Sequence, residues 1–144
     1  MKRLYSLPLY FLFTACTMFT AQQVPFTVSK PECVIGGNED YYDVAGIVFT
    51  FYNTGAKEIQ RIEISCMIYD AETKNNPFIG SNLIKAVCNE TIGSGEQKEL
   101  IIPLDRYLYR VPDKPYLIDH FFIRKLTFSD GSVWEDKAGV YKIS

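Results

Sequence analysis

The residues of this chain that could do chemistry are few. His120 is the only histidine, and Asp119 precedes it. An imidazole beside a carboxylate is the smallest acid–base couple. On a regular strand, however, neighbouring side chains face opposite sides, so the two are expected to point apart. No Ser or Cys nucleophile motif accompanies them, and no enzymatic activity is expected. Glu39, Asp40 and Asp43 form a short run of hard carboxylates of the kind that suits calcium. They lack the spacing of an EF-hand, and a solvated loop is the expected outcome. Cys16, Cys33, Cys66 and Cys88 show no CxxC or Cys/His spacing for zinc. No metal and no cofactor is therefore expected.

The segment 106–115 has a different character. It combines Tyr107 and Tyr109 with Arg106, Arg110 and Lys114. Tyr and Arg are the residues that most often anchor protein interfaces. A loop on a rigid frame is a common place to find them. A second reading is architectural: a long connection between two sheets can use its aromatics to cover the end of the core.

The cysteines depend on pairing. Residues 59–70 and 82–89 are expected to form an antiparallel hairpin around a loop centred near residue 76. That register brings Cys66 and Cys88 nearly opposite on one face, making them the candidate disulfide. Cys33 bonded to either, or three buried free thiols, are the alternatives.

These residues must be positioned by strands. The chain has 144 residues, 47% hydrophobic and 22% charged, which suits one folded domain. Its net charge of −2 offers no basic excess for nucleic acid. Ile47, Phe49 and Phe51 share one parity in residues 44–53, and Val48, Thr50 and Tyr52 share the other. Ile62, Ile64, Cys66 and Ile68 repeat the pattern against Glu63, Ser65, Met67 and Tyr69. This is period two, which a helix does not give. Further strands are expected near 82–89, 98–104, 116–128 and 132–136. In 116–128 the apolar parity switches between Phe121/Ile123 and Leu126/Phe128, which calls for a bulge near Arg124 and Lys125. The expected fold is all-β, an Ig-like or fibronectin-like two-sheet antiparallel sandwich of about seven strands.

The first residues read as an address. Lys2 and Arg3 open the chain, an apolar run follows, and no further charge occurs before Lys30. That is the layout of a secretory signal. The run Leu12-Phe13-Thr14-Ala15-Cys16 resembles a bacterial lipobox. The resemblance implies cleavage after residue 15, lipidation of Cys16 and a membrane anchor in the bacterial envelope. The alternative is cleavage after Ala21 and a soluble periplasmic or secreted protein. Residues 16–30 are expected to form a tether, and 31–144 the domain. Without residues 1–15 the chain carries 13 basic against 17 acidic residues, a mild acidity.

Several segments resemble bacterial extracytoplasmic Ig-like modules of the FxLYD type. Val44-x-Gly46-x-Val48 followed by Asn53-Thr54-Gly55 matches the opening of that pattern. Cys66-Met67-Ile68-Tyr69-Asp70 stands at its Phe-x-Leu-Tyr-Asp, and Ile92-Gly93-Ser94-Gly95-Glu96 at its Pro-Gly-Glu turn. The resemblance implies a β-sandwich outside the cytoplasm, often on a lipoprotein, with no assigned chemistry. Physically, Asn53 and Gly55 are expected to supply a left-handed turn, Asp70 a side-chain cap, and Trp134 a cover for one core end. The function expected is a membrane-anchored protein-interaction or structural module whose envelope partner is unknown. The alternative is a soluble binding or chaperone-like domain.

Overall fold

The computed structural model describes residues 23–37 and 41–143. The leader, Cys16, Glu39 and Asp40 lie outside the described residues. Eight strands form: β1 (Phe26–Val28), β2 (Glu32–Ile35), β3 (Ala45–Asn53), β4 (Ile59–Tyr69), β5 (Leu83–Cys88), β6 (Gln97–Pro103), β7 (Leu117–Phe128) and β8 (Val133–Glu135). One sheet is built on β3, and the other runs β5-β4-β7-β8, all antiparallel. A strand has only two edges. β6 takes residues 46–52 of β3 along one edge, so β1 and β2 share the other, broken at Ser29–Pro31. Eight segments thus occupy seven strand positions, the Ig-like, fibronectin-like sandwich.

The alternation read in the sequence becomes the core. Ile47, Phe49 and Phe51 face Ile62, Ile64, Cys66 and Ile68 across the interface, closed by Leu100, Ile102, Phe121 and Leu126. Phe49 meets Phe121 edge to face with ring centroids 5.0 Å apart, joining the two sheets. Trp134 covers one end, packed at 5.1 Å against Phe26. The core reaches further towards the N-terminus than the sequence pattern implies. Phe26 is buried and Val24 packs on the core, so the expected tether up to residue 30 is in part an edge strand. Thr27 is the outward residue of that strand, and three residues are too few to display an alternation.

Strand β7 keeps an apolar face through two phase changes. Its inward residues are Ile118, Phe121, Ile123, Leu126 and Phe128. The expected bulge is present: Glu63 pairs with Lys125 while Ile64 pairs with Ile123, leaving Arg124 as the extra residue. A second lies where Ser65 pairs with Phe122 and Met67 with Asp119. There His120 adopts a left-handed φ of 48°.

The Asn53 turn is built differently from the expectation. Neither Asn53 nor Gly55 has positive φ. Asn53 is fully buried and works through its side chain. Its amide donates to the carbonyls of Lys57 (2.9 Å) and Ile92 (3.1 Å), and its oxygen accepts from the Gly55 N–H (3.0 Å). An Asn at a strand end can thus be retained for three hydrogen bonds rather than for its backbone freedom.

Candidate functional site

Two loops meet at one end of the sandwich, residues 70–82 between β4 and β5 and residues 104–116 between β6 and β7. The first is organised by Asp70. Its carboxylate accepts from the N–H groups of Glu72 (2.9 Å) and Thr73 (2.8 Å), the side-chain cap foreseen in the sequence. The Thr73 and Glu72 N–H groups hold its carboxyl below the usual range. The second loop opens with buried Leu104 and a 3-10 turn, Asp105–Tyr107. The Asp105 carboxylate reaches back to the entry of β3. Oδ2 accepts from the Asp43 N–H at 2.8 Å, and Oδ1 from those of Val44 (2.9 Å) and Ala45 (3.3 Å). Desolvation opposes ionisation there, but the three N–H groups outweigh it and the carboxyl is held low.

The five loop residues singled out in the sequence divide into two groups. Tyr107 belongs to the cover: it stacks on Phe78 at 5.7 Å, and Phe78 meets Tyr116 edge to face at 5.7 Å. Arg106 is folded onto Tyr107, with its Cζ 4.8 Å from the ring centroid. Lys114 pairs with Glu72 across the loops. Tyr109 and Arg110 are the presented residues. Tyr109 is 69% exposed, with Val111 exposed beside it and Ile79 of the other loop 90% exposed. Tyr107, Leu108 and Tyr109 form a ridge between two depressions. One, of about 330 Å³, is lined by Glu72, Arg110, Asp113 and Tyr116 among others. The other, of about 520 Å³, is lined by Phe78, Ile79, Leu83 and Arg106 among others. The arrangement suits contact with a partner surface, polar on one side of the ridge and apolar on the other. Sequence reasoning missed Asp105 as the anchor of this end, and it missed Phe78 and Ile79. Only their place in a Pro- and Asn-rich loop hinted that these two apolar residues needed a role.

Asp119 and His120 do not point apart. The bulge and the left-handed φ turn both side chains to the same side, with His120 Nδ1 3.1 Å from Asp119 Oδ2. The Asp119 carboxylate also accepts from the His120 N–H at 2.7 Å. Both side chains are more than half exposed. Asp43 contributes its backbone to Asp105. Among the described residues, no cluster of three metal-binding side chains forms and no helix is long and apolar enough to cross a membrane.

The candidate disulfide is not formed: Cys33, Cys66 and Cys88 are free thiols. Cys66 pairs with Ile84 and Cys88 with Ile62. The two share a face but sit four residues apart along the ladder, about 13 Å, beyond the reach of a disulfide. Burial raises the Cys33 thiol, pushes Cys66 to about 12, and pushes Cys88 to about 11 with help from Glu90. Thiol labelling of the folded protein near pH 8 should therefore be slow, with half-buried Cys88 first and Cys66 reacting only on unfolding. A Cys66–Cys88 disulfide found by mass spectrometry without prior oxidation would contradict this register.

The class defined by these features is an all-β, Ig-like sandwich with one presented loop end. Comparison with known proteins gave no matching family model and no curated relative with significant similarity.

Proposed function

We propose that this chain is a non-enzymatic, membrane-anchored envelope lipoprotein whose sandwich acts by protein contact through the end formed by residues 70–82 and 104–116. One observation carries the contact reading. Tyr109, Arg110 and Ile79 stand out from a frame locked by the Phe78–Tyr107 stack, the Lys114–Glu72 pair and Asp105. Exposed aromatic, aliphatic and guanidinium groups on a pre-organised frame lose little entropy on binding. The anchor rests on the leader and on the box ending at Cys16. With Val24 already on the core, only residues 17–23 would separate a lipidated Cys16 from the sandwich. Seven residues span at most about 25 Å, so the module would act close to the membrane.

Capture from envelope extract tests the contact reading. The Tyr109→Ala/Arg110→Ala protein should lose the partner retained by wild type, with binding weakened at least about tenfold. Equal capture by both proteins would remove this end from the interface. Acyl labelling of wild type and Cys16→Ala tests the anchor: label should disappear only in the variant, and no label in either would refute lipidation. The soluble alternative draws on the early start of β1. A chain beginning at Gln22 would enter the sheet within a few residues, which suits cleavage after Ala21. N-terminal sequencing of the mature protein separates the two.

A further inference from the structure

The outer face of the β5-β4-β7-β8 sheet is charged oppositely to the rest of the molecule. Because Ile62, Ile64, Ile84 and Leu126 are buried in the core, the neighbouring Arg61 and Glu63 of β4, Lys85 of β5 and Lys125 of β7 face outward. The bulge residue Arg124 joins them and donates to Glu63 at 2.8 Å, with Arg61 3.4 Å from the same carboxylate. Glu135 of β8 is shared in the same way by Lys125 at 3.7 Å and Lys137 at 3.4 Å. Four cations thus divide two carboxylates, and a depression of about 370 Å³ lies among them. Lys85, opposite Ser65, has no ion pair among the described residues. The only other acid on these strands is Asp119, at the far end of β7. The face therefore holds five basic side chains against three acidic ones. Residues 16–144 carry 13 basic and 17 acidic groups in all, which leaves eight against fourteen elsewhere in the chain.

The chain enters the sandwich beside this face. Gln23 and Pro25 line a depression with Lys57, Phe128, Val133 and Trp134, and Trp134 is one residue from Glu135 on β8. We propose that the face lies on the headgroups of an anionic phospholipid bilayer. The inference rests on the acyl anchor proposed above and adds the orientation in which the anchored module is held. A tether of at most about 25 Å keeps the entry point, and with it this face, near the surface. Val87 and Val133, 48% and 51% exposed, stand beside Glu63 and Thr127 and supply apolar contact among the cations. Each excess basic charge close to an anionic surface gives roughly a fivefold gain, so an excess of two gives about thirtyfold. That is too little to recruit a protein from dilute solution, but enough to select one orientation of a protein already held at the surface. The acidic remainder of the chain is repelled by the same headgroups, which disfavours the other orientations. The loops 70–82 and 104–116 lie at the opposite ends of β4 and β7 from the entry point. The end that presents Tyr109 and Arg110 therefore points along the bilayer.

Lysine acetylation read by mass spectrometry tests this on the acylated mature protein, in phosphatidylcholine vesicles with and without phosphatidylglycerol. Lys85, Lys125 and Lys137 should label at least about fivefold more slowly when phosphatidylglycerol is present, with Lys74 and Lys98 unchanged. Added salt should remove the difference. Lys85→Glu/Lys137→Glu should restore rapid labelling of Lys125, with unchanged circular dichroism because both substituted side chains are exposed. Equal labelling of the three lysines in both kinds of vesicle, in protein shown to be acylated, would overturn the orientation and leave the anchor in place. Protection by a soluble acidic polypeptide but not by the vesicles would assign the face to a protein partner and overturn it too. Protein that carries no acyl label would remove the anchor and this inference with it.

Discussion

Phe49→Ala should lower the unfolding free energy by about 3–5 kcal/mol, the largest effect expected of a single substitution in this sandwich. Phe49 is 2% exposed and Phe121 fully buried, and their rings meet at 5.0 Å with planes inclined by 66°. Phe49 lies on β3 of one sheet and Phe121 on β7 of the other, so the pair is a direct bond between the layers. Truncation removes transferred apolar area and leaves a cavity, because β-strands on both sides are held by their ladders and cannot collapse into it. Urea denaturation should show a reduced midpoint with little change in slope. A double cycle with Phe49→Leu and Phe121→Leu should recover a coupling of about 1 kcal/mol from the edge-to-face contact. Additive effects would mean that the rings contribute area alone.

Asp105→Asn should cost about 2–4 kcal/mol, since a charged acceptor bonded to several N–H groups is lost. Both carboxylate oxygens are used, at 2.8 Å and 2.9 Å to the nearest donors. An amide presents one oxygen and one NH₂ group, so one backbone N–H would face another donor. The effect has a pH signature. The Asp105 carboxyl is held below its ordinary value of 3.8 by the N–H groups, against the opposing pull of desolvation. A group with a depressed folded pKa stabilises fully above its unfolded value, and that stabilisation is lost as pH falls through the folded value. The stability gap between wild type and Asp105→Asn should therefore be constant at neutral pH and shrink in acid below the unfolded carboxyl range. A gap that stays constant into acid would assign the effect to packing. Because Asp105 ties the 104–116 loop to the start of β3, the same variant should loosen the presentation of Tyr109 and Arg110.

The two bulges of β7 illustrate what a pattern can and cannot report. At Arg124 the parity of large apolar residues switches within five positions, and the bulge is legible from that alone. At His120 the switch falls between Ile118 and Phe121, but Leu117 is also apolar, so either parity could be taken as inward. The second bulge has a chemical consequence. A regular strand would separate Asp119 from His120, whereas the bulge joins them at 3.1 Å on the surface.

The cysteine pairing failed for a related reason. The β4–β5 ladder is offset from the expected centre, with Cys66 opposite Ile84 and Cys88 opposite Ile62. A slip by an even number of residues keeps every side chain on its own face, so hydrophobic alternation is blind to it. It nevertheless separates two cysteines beyond bonding distance. Likewise, nothing local to Asp105 or Asn53 announces their partners, which lie 60 or more residues away for Asp105 and 39 away for the Asn53–Ile92 bond.

The strands β3, β4, β6 and β7, the inward faces of β3 and β4 and the all-β class were determined by the sequence by itself. Period-two burial is a local property, written into every pair of adjacent residues. The tertiary structure decided the register between strands, the short edge strand at Phe26, and the division of the 104–116 loop into covering and presented halves. Each of these depends on which distant backbone groups and rings come into contact, and that information is carried by no single segment of the chain.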